Sequence, residues 1–166
     1  MVKGLITIAN EEVRETLRSV TDPEIPVLSI MDMGIIRDID INDKKVNVQI
    51  TPTYTGCPAM DTIAMDIRIA LDTKGYDTSV ELVLSPAWTT DWITPQGRKN
   101  LEDYGIAPPL EGNLDKGALL GERVVTCPQC KSTNTSMISQ FGSTACKALF
   151  KCHECLEPFD YFKCLK

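Results

Sequence analysis

The sequence predicts an α+β fold in which helices cover one face of a small sheet, followed by a separate cysteine-rich ribbon. Three observations carry this. Period-two alternation in "GIIRDIDI", "KVNVQIT" and "TSVELVL" marks strands, while residues 58–71 between them switch to a helical period. Six of the seven cysteines lie between Cys127 and Cys164, four of them in C-x-x-C pairs. Prolines and glycines without periodicity fill "GIAPPLEGNLDKGALLG", a linker composition. The expected boundaries are a first domain over 1–106, a linker over 107–122 and a ribbon over 123–166.

Each element has a local reason. Asn10 can cap a short helix whose Val13, Leu17 and Val20 form one buried stripe, with Glu11, Glu12, Arg14 and Arg18 toward water. "TDPEIP" ends that helix, because proline cannot continue it. The turn "NDKK" joins two strands into a hairpin, with Ile39 and Ile41 on one face of the first and Val46, Val48 and Ile50 on one face of the second. A helix over 58–71 then puts Met60, Ile63, Ala64, Ile67 and Leu71 on one side and ends near Lys74 and Gly75. After a third strand, Thr94 caps and Pro95 opens a further helix that stops before Gly105. Trp88 and Trp92, four residues apart, read as core aromatics or as a docking patch.

Composition narrows the function. A chain 43% hydrophobic and 24% charged is expected to be globular. No stretch approaches the roughly 18 apolar residues of a membrane span, and the apolar run in "MVKGLITIAN" is too short for an export signal. A cytoplasmic protein with reduced cysteines is therefore expected. The net charge of −6 argues against a phosphate-binding surface, and residues 127–166, with 5 lysines against 3 acidic residues, carry too little excess charge to reverse that.

The two C-x-x-C pairs, Cys127 with Cys130 and Cys152 with Cys155, are separated by 21 residues. Four thiolates in two tight turns form the closed ligand set of a structural zinc, so the ribbon reads as a zinc ribbon. So few residues make no independent core, and metal binding supplies most of the folding energy there. Cys146 and Cys164 lie outside the pairs and read as small buried hydrophobes, with metal ligation as the alternative. His153, inside the second pair, reads as an exposed spacer, since four thiols already complete the shell.

Cys57 stands apart, in "TPTYTGCPAMD". As N-cap of a helix beginning at Pro58 it would meet the positive helix end, which favours the thiolate. The alternative is a side chain that only fills space under the turn.

"DPEIPVLSIMDMGII" followed by "PTYTGCPAMD" resembles the metal-sulfur cluster biosynthesis domain of iron–sulfur assembly factors, with its DPE turn and its T-x-G-C-P turn. Met33 stands where that family has leucine. "SPAWTTDWIT", "GRKNLEDYGIAPP", "CPQC", "FGSTACKALFKCHEC" and "EPFDYFKC" are similar to one branch of it, the PaaD (PaaJ) family that accompanies phenylacetyl-CoA epoxidase. The resemblance implies an accessory protein of a multicomponent monooxygenase in phenylacetate catabolism, not an enzyme itself. It assigns cluster or iron handover to Cys57, Thr55, Asp22 and Glu24, and zinc to Cys127, Cys130, Cys152 and Cys155. The implied partners are the epoxidase components, above all the [2Fe-2S] reductase, and a second copy of the chain. The implied cofactors are structural Zn2+ and a transient iron–sulfur cluster or iron. Asp22 and Glu24 also admit a plainer role, as turn cap and solvated residue. The competing functions are a zinc-ribbon module binding protein or nucleic acid, and a thiol enzyme, which would lack a histidine base near Cys57.

Overall fold

The computed structural model describes residues 11–111, 120–121 and 124–163 of the 166. Asn10, Cys164 and most of the expected linker lie outside the described residues. The chain divides into two compact units, one ending at Trp88 and one beginning at Thr89.

In the first unit, helix α1 runs over residues 11–18, and Val13, Leu17 and Val20 are buried, as their spacing predicts. A short helix α2 (Ile30–Met33), which the sequence reading did not anticipate, is capped by the Ser29 hydroxyl and closed by Gly34 in the left-handed region. Strands β1 (Ile36–Asn42) and β2 (Lys45–Ile50) form the hairpin, antiparallel, with Val46, Val48 and Ile50 buried. Asp43 makes the tight turn at a φ of 57°. Helix α3 (Ala59–Asp72) then crosses to β3 (Asp77–Leu82), which pairs parallel with β2 in the register Val46↔Thr78, Val48↔Val80 and Ile50↔Leu82. A parallel neighbour requires such a crossover, because a tight turn cannot reverse the chain twice. The sheet order is β1-β2-β3.

Met60, Ile63, Ile67 and Leu71 are the buried stripe of α3. Each such side chain contributes about 1.5–3 kcal/mol when fully buried, so this face holds the helix. Trp88 closes the unit: it is buried, and its indole N–H donates to the Met33 carbonyl at 3.0 Å. It is a core aromatic, with its one polar atom satisfied.

The second unit opens on a 3-10 turn (Thr90–Trp92) and helix α4 (Pro95–Tyr104). The Thr94 hydroxyl accepts from Gly97 N at 3.0 Å, and Gly105 closes the helix at a φ of 95°. Strands β4 (Ile106–Ala107), β5 (Thr135–Ser139), β6 (Lys147–Cys152) and β7 (Pro158–Phe162) form a sheet of order β4-β7-β6-β5. The segment 89–106 thus packs with the ribbon, where the sequence reading grouped it with the first domain. The reason is pairing: β4 lies parallel to β7, with Ile106↔Asp160 and Ala107↔Tyr161. Phe150, Phe159 and Tyr161 pack together in this unit, Phe159 stacked on Phe150 with ring centroids 5.8 Å apart and Tyr161 edge-on to it at 5.6 Å.

Candidate functional site

The ribbon cysteines are positioned by two loops of the same backbone form. Cys127 N–H donates to Ser132 O at 2.9 Å and Cys152 N–H to Glu157 O at 3.0 Å, the same five-residue offset. The residue after each second cysteine, Lys131 at φ 63° and Leu156 at φ 65°, sits in the left-handed region. That reversal turns the chain back so that both sulfurs of a pair face one point. The sulfurs of Cys127, Cys130, Cys152 and Cys155 all lie within 4.8 Å of one another. Cys127 and Cys155 are 3.7 Å apart and Cys130 and Cys152 3.5 Å. A tetrahedron of sulfurs at the Zn–S distance has edges of about 3.8 Å, so the donor set and its size fit zinc. Among the described residues, this is the group of metal-binding side chains gathered so closely.

The thiols prepare the same charge. N–H groups of Cys155 and Glu154, with the neighbouring thiols of Cys130 and Cys155, lower Cys152 to about 6 against burial. At Cys155 the Glu157 N–H also favours the thiolate, but burial and the thiols of Cys130, Cys152 and Cys127 push it up to about 12. Cys152 and Cys155 are thus pushed in opposite directions, and a divalent cation bound by both requires each as the thiolate, so metal binding releases the proton that Cys155 holds.

His153 points away from the sulfurs: it is exposed, and its Nε2 is 2.8 Å from Ser136 Oγ. Cys146 is buried, with Thr144 Oγ1 3.1 Å from its sulfur.

Cys57 lies in the loop that leaves the carboxyl end of β2 and enters α3. Open parallel sheets place their ligands beyond that end of the strands. Gly56, at φ 81° with open space around a would-be Cβ, supplies the turn. Thr55 is exposed beside it. The N-cap of α3 is Pro58 and no side chain caps the helix, so Cys57 stands one residue outside the expected position. Its thiol is pushed up rather than down. Half-burial is the main cause, the Ala59 N–H opposes it, Glu24 adds to it, a hydrogen bond from Tyr54 opposes it, and Asp22 adds to it. The favoured thiolate expected from the helix end is therefore corrected: desolvation and two carboxylates outweigh the Ala59 N–H and the Tyr54 hydroxyl.

Those carboxylates come from the DPE turn, more than thirty positions earlier, so the fold brings both turns to one place. Asp22 is buried and caps its own turn, its Oδ1 accepting from Glu24 N at 2.7 Å and Ile25 N at 3.0 Å. Glu24 is half-buried. Tyr54 is the contributor that sequence reasoning missed. Its position within "TPTYTGC" was visible, but nothing in the pattern showed its hydroxyl turned back on Cys57.

Residues 10–82 match the iron–sulfur cluster assembly protein family, and residues 113–163 match the PaaD zinc beta ribbon domain. The chain is 48% identical to an Escherichia coli (strain K12) protein named as a putative 1,2-phenylacetyl-CoA epoxidase subunit, over 99% of this chain and 100% of that one. It is 35% identical to an Fe-S protein maturation auxiliary factor of Porphyromonas gingivalis (strain ATCC BAA-308 / W83), over 55% of this chain and 89% of the relative. The crystal structure of a DUF59 domain from Bacillus anthracis shares the fold of the first part, with a TM-score of 0.51 at 24% identity, covering 55% of this chain and 89% of that one.

Proposed function

The chain belongs to the PaaD family of phenylacetyl-CoA epoxidase subunits, and from that premise we propose that it is an accessory protein, not itself catalytic, that assembles or repairs an iron or iron–sulfur centre of the epoxidase system. Its first part is an iron–sulfur cluster assembly domain and its second a zinc ribbon. The observation that supports the reading is that Glu24 and Asp22, from the DPE turn, act electrostatically on the Cys57 thiol in the turn that follows β2.

The iron or cluster is cargo. Cys57 offers one sulfur, with the Ala59 N–H and the Tyr54 hydroxyl aimed at it. The Glu24 and Asp22 carboxylates place negative charge where an incoming cation takes over from the thiol proton. One sulfur cannot hold a cluster that ordinarily takes four cysteines, so the remaining ligands come from the client or from a second copy of the chain. That incompleteness suits brief possession and release. The client in this reading is the [2Fe-2S] reductase, and the compartment is the cytoplasm. The ribbon's zinc is structural, held by Cys127, Cys130, Cys152 and Cys155, and its role is to fold the second unit.

The test is transfer. Protein loaded anaerobically with ferric iron and sulfide, then freed of the excess, is expected to restore the visible absorption of the apo-reductase, and Cys57→Ser protein treated in the same way is expected to leave it colourless. Equal transfer by the two proteins would remove Cys57 from the function.

A further inference from the structure

Helix α4, strand β4 and the residues just beyond them lie outside the stretch that matches the zinc ribbon domain, yet their contacts tie them to the ribbon, and two of these reach its first cysteine turn. Gly105 ends α4 in the left-handed region, and a Cβ there would stand 3.0 Å from Gln129 Nε2, so the Cys127–Cys130 turn packs directly on the helix end. Lys131 follows Cys130 and donates its N–H to Cys127 O at 3.0 Å. Its ammonium joins the Glu102 carboxylate of α4 and the Pro128 carbonyl, the latter at 2.9 Å. Beyond the helix, Leu110 N donates to the Tyr161 hydroxyl at 3.2 Å. Ala107 and Leu110 share one apolar cluster with Cys127, Cys152 and Cys155.

From these contacts we infer that the four-cysteine site is a clamp on a helix: metal bound there fixes the first cysteine turn, and that turn holds residues 95–110 against the ribbon sheet. The helix cannot hold itself. It has ten residues and its buried ones are Gly97 and Leu101, whereas isolated helices shorter than about 12–15 residues are marginal in water. The cysteine turn, in its turn, is held by the ion, because in so small a unit metal-binding energy is folding energy. The metal state of the ribbon therefore reaches the segment that directly follows the first unit in sequence. Linkage makes the effect reciprocal: whatever factor the metal contributes to holding α4, the α4 contacts contribute to holding the metal.

Hydrogen exchange on the full chain, zinc-loaded and chelator-stripped, tests this. Stripping is expected to abolish protection over 95–107 together with β6 and β7, while α3 keeps its protection as the internal control. Lys131→Met and Gly105→Val leave all four cysteines in place. Both are expected to raise exchange over 95–107 in the zinc-loaded protein and to speed zinc transfer to a competing chelator. The effect is a few-fold for Lys131→Met, whose exposed ion pair is weak. It is roughly tenfold for Gly105→Val, which forces a side chain into a left-handed backbone position against Gln129. Protection over 95–107 that survives stripping would overturn the clamp, and so would variants that loosen α4 while zinc release stays at the wild-type rate.

Discussion

Cys57 is a thiol held against ionisation. Its sulfur is half-buried and feels the negative charge of Glu24 and Asp22, and the hydrogen bonds from the Ala59 N–H and the Tyr54 hydroxyl do not reverse the effect. At pH 7 it therefore carries less thiolate than an unburied cysteine, and its reaction with iodoacetamide is expected to be slower. The rate should keep climbing as pH rises past the range where an ordinary thiol has levelled off. Glu24→Gln removes one negative neighbour and is expected to speed the reaction at pH 7, read by mass-spectrometric peptide mapping. A Cys57 faster than an unburied thiol in the wild-type chain would mean that the helix end dominates after all. This environment was not legible in the sequence. The helix after Pro58 was visible in its own residues, whereas burial and the carboxylates of the DPE turn depend on where the chain folds back.

At the scale of elements, local patterns carried far. The hairpin, α3 and the Thr94 to Gly105 helix follow from alternation, period and caps, and each was legible because its signal lies within its own span. The parallel pairing of β3 with β2 and of β4 with β7 was not, since Ile106–Ala107 has no periodicity of its own and takes its identity from β7. The two cysteine turns were legible as spacing, but their shared form rests on positive φ at Lys131 and Leu156, residue types that do not advertise it. Because their four sulfurs make one shell, Cys130→Ser with Cys155→Ser is expected to abolish zinc binding and leave the second unit open to protease. The first unit, with its own buried face on α3, is expected to stay folded. Zinc quantification on the purified variant and limited proteolysis check both halves.

At the scale of the molecule, an acidic chain of net charge −6 joins an assembly domain to a zinc ribbon, and among the described residues no helix is long and apolar enough to cross a membrane. The charge is ill-suited to a nucleic-acid partner, whose phosphates demand clustered lysine and arginine, and leaves a protein client as the natural one. If that client is matured rather than assisted in turnover, the defect of a damaged assembly site must appear in the client's metal content. The most direct measurement is iron and acid-labile sulfide per epoxidase component, isolated from cells whose chromosomal copy carries Cys57→Ser. A maturation role predicts a reductase depleted in iron and sulfide, while epoxidase assembled in wild-type cells turns over normally without this protein. Fully metallated, fully active epoxidase from the Cys57→Ser cells would contradict it.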